Sequence, residues 1–372
     1  MGAGANWVDR ITRLLSRSLS EFNPFRGEEP YIAVDLGSST IKILEVQGRA
    51  TELRVTGFGR APTPGTGIQN NMVVEAGAVA EALRSLYQEA GLRAKKAITV
   101  VPGPAVIIKR VTLPAQSEQE LENTILIEAG NFIPEELENV NLDYQITDYL
   151  DDGRRIEVLV VAAKKDMVAS YADTLREAGL LPVVVDVDYF ALENMFELNY
   201  EPPPGRAIAM VNIGSRYSAI NILKNGRSTF TGDVPVGGRD ITDSLMRDLN
   251  LSLEEAEALK AGKPLDPSIM DHAGPVLEVA AGAVIDEIHH ALSFFWTAAT
   301  DETIDHIYLS GGSARMPGLA EQLAERVGAP VDLANPFAHL TIADELDRQT
   351  LREQAPEFAV AAGLATRRPN DK

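Results

Sequence analysis

The chain has no cysteine among its 372 residues. That absence excludes a disulfide framework, thiolate metal sites and a cysteine nucleophile, and it fits a reducing, cytoplasmic compartment. Long apolar runs are missing as well. No stretch approaches the ~20 residues of a membrane span, and the N-terminus lacks the apolar core and small-residue cleavage site of a signal peptide. Positive charge is scarce: 34 Lys and Arg stand against 54 Asp and Glu, a formal net charge of −20. Such a surface repels polyanions and removes a general nucleic-acid groove from consideration. What remains is an ordered chain of mixed class, long enough for two domains with separate cores.

The first thirty residues differ from the rest. In "NWVDRITRLLSRSLSEFNPF" the residues Trp7, Ile11, Leu14, Leu15, Leu19 and Phe22 recur at helical spacing, and Arg10, Arg13 and Arg17 cluster on the other side. A basic amphipathic helix over 7–22 either lies on an anionic membrane or docks on protein. Pro24 and "RGEEP" close it as a linker, so 1–29 is set apart.

From Tyr31, "YIAVDL", "TIKILEV" and "LRVTGFG" are rich in β-branched residues and punctuated by glycine, which predicts strands in hairpins. "EAGAVAEALRSLYQEAG" places Val79, Leu83, Leu86 and Tyr87 at helical spacing, stops at Gly91 and leads into the strand "KKAITVV". A similar unit follows: "KKDMVASYADTLREAG", with an Asp166 cap, Val168, Tyr171 and Leu175 on one face and a stop at Gly179, then "PVVVDVD". Between the two, residues 103–165 carry strand-like "AVIIKRVTL", a helix opened by Ser117 with Glu120 in capping-box position, and two more strand patterns. They form an inserted α+β subdomain, with 30–102 and 166–205 making the first domain around it. "EPPPG" at 201–205 is a boundary, since consecutive prolines continue neither helix nor central strand.

Beyond it, an earlier pattern returns. "VDLGSSTIKIL" at 34–44 and "VNIGSRYSAINIL" at 211–223 share hydrophobe, Asp or Asn, hydrophobe, Gly, Ser and a second strand ending in Ile-Leu. Each precedes a Gly-Arg turn and a further strand pattern. Two similar hairpins imply two related halves, the second over 206–354. A third glycine site lies in "IDHIYLSGGSARMPGLAEQLAERVG", which reads as a strand, a Gly311-Gly312 turn and a helix with Leu319, Leu323 and Val327 on its apolar face. Amides at a strand-to-helix turn accept anions.

Glycine lets backbone amides approach a phosphate, and Ser or Thr hydroxyls add donors. An acid beside them suits a hydrated Mg²⁺ bridging to the phosphate. Alone, "DLGSST" is also an ordinary hairpin; three glycine sites in one order give it meaning. The rival Gly-Lys-Ser/Thr loop is missing, since "AGKPL" around Lys263 lacks the spacing and the hydroxyl.

The order of these sites resembles the actin-like ATPase superfamily. The insertion, together with "VPVGGRDIT", "LSLEEAEALKAG" and "PEFAVAAGLATR", resembles its FtsA/PilM branch over about residues 30–367. The resemblance implies a two-domain, ribonuclease H-like α/β fold with a duplicated core and an FtsA-like α+β subdomain, binding ATP and Mg²⁺. It places Asp35, Gly37, Ser38, Ser39 and Thr40 in a first phosphate loop with Lys42 nearby, and Gly214 and Ser215 in a second. Gly237, Gly238 and Asp240 fall near the ribose; Gly311, Gly312 and Ser313 near the adenosine. Mg²⁺ would meet Asp35 and Asn212 through water, no catalytic residue is assigned, and residues 355–372 carry a C-terminal helix back to the cleft. The partner implied is the cytoplasmic tail of PilN, held beside the insertion, with Leu121, Ile125, Phe132 and Ile133 as cleft candidates or, equally, core. The location implied is the cytoplasmic face of the inner membrane, within a pilus assembly complex.

Asn212 departs from the aspartate usual at that position and Arg216 follows closely, a pair suited to holding phosphates and weakening a Mg²⁺ shell, hence to slow hydrolysis at most. A sugar- or acetate-type kinase would need a substrate pocket and a positioned base, and neither is visible. An FtsA-like filament protein is a further alternative. "EEAEAL" and "PEELENV" read as solvated helix faces, "SFFW" at 293–296 as core, and the adjacent His289 and His290 as packing or solvent residues.

Overall fold

The computed structural model describes residues 29–48, 52–298 and 303–369. The amphipathic stretch 7–22 lies outside this set. Strands β1 (Tyr31–Leu36), β2 (Thr40–Gln47) and β3 (Arg54–Pro62) form an antiparallel meander, followed by the small hairpin β4 (Ile68–Gln69) and β5 (Met72–Val73). Helix α1 (Ala76–Glu89) leads to β6 (Lys96–Val101). Next come β7 (Val106–Pro114), α2 (Glu118–Ala129), β8 (Val140–Leu150) and β9 (Arg155–Lys164), then α3 (Lys165–Glu177), β10 (Leu181–Val187) and α4 (Asp188–Asn199). A second meander of β11 (Ala207–Ile213), β12 (Ser218–Lys224) and β13 (Arg227–Val234) precedes α5 (Gly238–Asp248), α6 (Leu253–Lys260) and α7 (Pro267–Ala298). The chain ends through β14 (His306–Ser310), α8 (Leu319–Val327), β15 (Val331–Leu333), β16 (Thr341–Ile342), α9 (Arg348–Glu353) and α10 (Ala359–Leu364).

The two large sheets repeat one topology. Their orders are β10-β6-β1-β2-β3-β16 and β13-β12-β11-β14-β15. In each, the first strand of an antiparallel meander takes two parallel strands on its other side, β6 and β10 in one, β14 and β15 in the other. Helices deliver those parallel strands, since a parallel return needs a crossover. The helical periodicity holds where it was expected: Val79, Leu83 and Leu86 of α1 are buried, as are Tyr171 and Leu175 of α3. Both helices end at a left-handed glycine, Gly91 at φ +63° and Gly179 at φ +87°, which no side chain adopts as cheaply.

The halves meet where α10 crosses α4. A Cβ on Gly363 would sit 1.7 Å from the Ala191 carbonyl oxygen, so only glycine allows this crossing. The C-terminal segment thereby runs between the halves, with Val360 reaching the cleft.

Strands β7, β9 and β8 form a separate three-stranded antiparallel sheet covered by α2. The Ser117 amide donates to Glu120 Oε2 at 3.1 Å, closing the expected capping box. This sheet changes the reading of the cleft candidates. Leu121, Ile125 and Ile133 are 3%, 1% and 6% exposed and Phe132 is half-buried against them, so they hold the subdomain together instead of lining an open surface. The exposed apolar residues of α2 are Leu126 and Ile127. Two other expectations shift. "PEELENV" forms only a single tight turn at Leu137–Asn139, because Val140 must already pair with Lys164. Phe294 of "SFFW" is exposed and stacks on His290 at 5.3 Å. The side chains of Phe295 and Trp296 lie outside the described residues.

Candidate functional site

Both meanders point their first turn into one cleft of about 890 Å³, a size ordinary for a cofactor site. In the first turn, Asp35 and Lys42 face each other across β1 and β2, and Lys42 Nζ donates to Asp35 Oδ2 at 2.9 Å. Thr63 fixes the turn from outside: its amide donates to the Ser39 carbonyl and its hydroxyl to the Gly37 carbonyl. A Cβ on Gly37 would meet the Thr40 carbonyl oxygen at 2.8 Å. The second turn repeats this geometry, since a Cβ on Gly214 would meet the Tyr217 carbonyl oxygen at 2.8 Å. Asn212, at the place of Asp35, faces Ala219 where the first hairpin has Lys42, and its Oδ1 accepts from the Ser310 hydroxyl at 3.1 Å.

Gly237 and Gly238 stand behind the second turn rather than on the cleft wall. The Gly238 amide donates to the Gly214 carbonyl at 2.8 Å, and a Cβ on Gly237 would press within 2.5 Å of the same oxygen. Asp240 accepts from the Gly237 amide, capping α5. Gly311, Gly312 and Ser313 line the cleft. Here the structure departs from a simple strand-to-helix turn. Gly311, at φ +96°, gives its amide to the Pro356 carbonyl, and a chain of tight turns separates it from α8. The free amides of a helix start are thus not at this turn; the close backbone approach is what needs glycine.

The cleft also gathers residues that sequence patterns left out, Lys260, Arg315, Asn70 and Asn71 among them, beside the expected Arg216. Lys260 donates to the Gly238 carbonyl, the Thr242 hydroxyl and Glu257 Oε1 within 3.1 Å, so part of the "EEAEAL" face is tied into the cleft. Arg216, Lys263 and Arg315 line the cleft without a carboxylate partner among the described residues. Glu254, Glu257, Glu353 and Glu357 line it as well, Glu257 paired with Lys260 and Glu357 with Arg60. Asn70 and Asn71, both at positive φ in the β4–β5 turn, line it too.

At the floor lies Asp188. The Tyr217 hydroxyl donates to its Oδ2 at 2.6 Å and the Gly103 amide to its Oδ1 at 2.9 Å. Burial, with a smaller contribution from the Asp35 charge, pushes its carboxyl up to about 7, against the lowering effect of these donors. The signal for Asp188 was present in "PVVVDVD": an acid at the carboxyl end of a parallel strand, where α/β sheets place ligands. Tyr171, also lining the cleft, keeps its proton because burial raises its pKa.

For Mg²⁺ the donors are one carboxylate already paired with Lys42 and one neutral amide. Among the described residues no three acidic or His side chains converge as a metal site. This set suits a hydrated ion carried by phosphate oxygens and does not suit one held by protein alone.

Comparison with known proteins agrees with this architecture. The solved PilM-PilN type IV pilus biogenesis complex is similar at a TM-score of 0.79 and 28% identity, covering 90% of this chain and 97% of that one. The ethanolamine utilization protein EutJ from Carboxydothermus hydrogenoformans shares the fold at a TM-score of 0.56 and 16% identity, over 92% and 91%. The cell division protein FtsA of Bacillus subtilis (strain 168) is 22% identical over 353 residues, 83% of this chain and 79% of FtsA. Two sheets of one ribonuclease H-like topology, facing each other across a glycine-hairpin cleft with an FtsA-like subdomain in the first half, make this an actin-like ATPase fold. A family model described as type IV pilus assembly protein PilM matches residues 33–369. The chain belongs to that family.

Proposed function

We propose that the protein is a nucleotide-holding scaffold of type IV pilus assembly, gripping ATP between its two glycine hairpins and presenting the inserted subdomain to PilN. The observation that carries this reading is the pair of equivalent glycine turns, each bent by the same 2.8 Å approach at Gly37 and Gly214, which open on one cleft where Arg216, Lys263 and Arg315 add positive charge beside Glu254 and Glu353. A polyphosphate is the ligand that such a cleft complements. Gly37, Ser38, Ser39, Thr40, Gly214 and Ser215 give amides and hydroxyls to the phosphates, and Lys42 and Arg216 give charge. Gly237, Gly238 and Asp240 shape the ribose side, with Lys260, and Gly311, Gly312 and Ser313 the adenosine side. Mg²⁺, when bound, neutralises phosphate charge, with Asp35 and Asn212 reaching its waters. Asp188 is the one carboxyl at the cleft floor able to take up a proton near neutral pH, and half its acceptor capacity is already used by Tyr217 and Gly103. With Asp35 paired to Lys42 and Asn212 neutral, the Mg²⁺ shell is weak and hydrolysis is slow.

We divide the chain near 103, 165 and 205, and end the second half before β16 (Thr341–Ile342) instead of at 354, because β16 pairs with β3 in the first sheet and Phe337, Leu340 and Leu351 pack in the first core. PilN is supported as partner by family membership and by likeness to the PilM-PilN complex. The exposed Leu126 and Ile127 of α2, not the buried Leu121, Ile125 and Ile133, are the apolar side chains offered to a peptide. No helix among the described residues is long and apolar enough to cross a membrane; the contact with the inner membrane we propose is peripheral, through 7–22 and PilN. Equilibrium dialysis of ATP against the purified chain, followed by capture of a PilN cytoplasmic tail with and without ATP, tests the reading. Absence of both binding events sinks it.

A further inference from the structure

At the end of the first sheet remote from the cleft, basic side chains gather around two tyrosine rings, with Glu29 and Glu52 among them. Strand starts meet there in register: Tyr31 of β1 beside Lys96 of β6, which lies beside Leu181 of β10, while Gln47 at the end of β2 pairs with Arg54 at the start of β3. Arg93 and Lys95 occupy the loop into β6 and are exposed. Arg368 places its guanidinium 4.6 Å from the centre of the Tyr31 ring and donates to the Gly48 carbonyl at 2.6 Å. Lys95 Nζ sits 4.4 Å from the Tyr87 ring centre. Leu181 is 53% exposed.

Five cations, Arg54, Arg93, Lys95, Lys96 and Arg368, therefore crowd one edge of an acidic protein. Lys96 is paired with Glu29 at 2.6 Å, whereas Arg54, Arg93 and Lys95 have no carboxylate partner among the described residues. Cations over tyrosine rings beside an exposed leucine form a surface that is charged at its tips and apolar at its base. That combination suits a headgroup layer, where aromatic and aliphatic groups sit at the boundary and Lys or Arg tips reach phosphates. Residues 1–28, with Arg10, Arg13 and Arg17, join the fold at this same end, just before Tyr31.

We infer that this strand-start end of the first sheet is a second membrane-contact surface that docks on anionic lipid headgroups alongside the N-terminal stretch. The inference extends the peripheral placement proposed above and does not depend on the identity of the nucleotide or of PilN. Strands β1 and β6 are six residues long, a rise of about 20 Å. The cleft lies at their other end, at Asp35, Leu36 and Val100. Docked this way, the cleft faces away from the bilayer and stays open to nucleotide.

The test is co-sedimentation of the full chain with vesicles of mixed phosphatidylglycerol and phosphatidylcholine, at low salt, with three double charge reversals. Arg93→Glu with Lys95→Glu alters the proposed surface. Arg13→Glu with Arg17→Glu alters the N-terminal stretch, and Arg247→Glu with Arg326→Glu makes an equal charge change on α5 and α8. The surface pair is expected to weaken binding by about tenfold or more, the α5 and α8 pair to leave it within about twofold. Vesicles of phosphatidylcholine alone should retain no protein. Loss with the N-terminal pair but not with the surface pair overturns the inference while leaving the N-terminal anchor intact. Equal loss with the α5 and α8 pair overturns it as a mere effect of net charge, and a full chain that fails to sediment overturns both. Unchanged thermal unfolding of each variant, expected because these side chains are exposed, separates lost docking from lost folding.

Discussion

Gly37 and Gly214 occupy equivalent places in two hairpins: a Cβ on either would stand 2.8 Å from the carbonyl oxygen three residues on, that of Thr40 or of Tyr217. The first turn of each half is thus bent by the same close backbone contact, and both turns line the same cleft. Gly37→Ala or Gly214→Ala must displace that carbonyl. Each is expected to weaken ATP binding at least about tenfold, roughly 1.4 kcal/mol, as read by equilibrium dialysis. Gly65→Ala, where a Cβ meets nothing within 4 Å, serves as the control that leaves binding unchanged despite some backbone strain.

The asymmetry between Asp35 and Asn212 can be reversed. Asn212→Asp keeps an oxygen for the Ser310 hydroxyl and adds a carboxylate that is not paired to a lysine, since Ala219 stands across the strand. ATP affinity in the variant is expected to depend more strongly on Mg²⁺, measured by the loss on adding EDTA, and turnover to rise. Identical EDTA responses in the two proteins would speak against any metal role for this position.

Asp188 ties stability to pH. Its folded carboxyl titrates at about 7, against an ordinary value near 3.9. Between these values the folded protein holds a proton that the unfolded chain has released, so the stability contributed falls as pH rises through this window and is lost above it. Glu193, pushed up to about 7 by burial, acts in the same direction. Urea unfolding between pH 5 and 8 is expected to show stability declining toward pH 8, with a smaller decline in Asp188→Asn. A wild-type profile that rises over this range contradicts the assignment.

Two positions on α2, one buried and one exposed, separate core from contact. Leu121→Ala removes a buried side chain and should cost about 2–5 kcal/mol. Ile127, 72% exposed, should change stability by less than about 0.5 kcal/mol on replacement by alanine. Only Ile127→Ala is expected to weaken capture of a PilN tail by an otherwise stable protein.

The parts of this site legible in sequence were those set by local geometry. Glycine next to a strand end, as at Gly37, Gly214 and Gly311, marks a turn or a close backbone approach that any neighbouring residues would require. The helix stops at Gly91 and Gly179 were equally local. Lys260 and Arg315 could not be ranked in this way, because what distinguishes them is absence or presence of a partner from a distant segment, whereas Arg216 was legible beside its hairpin and Asp188 left a signal at its strand end that was not read. Gly311 shows the same limit from the other side: its turn was visible, but the Pro356 carbonyl that takes its amide was not. In α2 the run "TILIEAG" is apolar around more of the helix than one face, so sequence could not tell the buried Ile125 from the exposed Ile127.

The most direct measurement is the ATP stoichiometry and turnover of the purified full chain, by equilibrium dialysis and phosphate release on one preparation. The account predicts one ATP bound per chain, binding lost in Gly37→Ala and Gly214→Ala, and turnover below about 1 per second, under the range usual for enzymes. No saturable ATP binding at millimolar nucleotide, or turnover well above that rate, would contradict it.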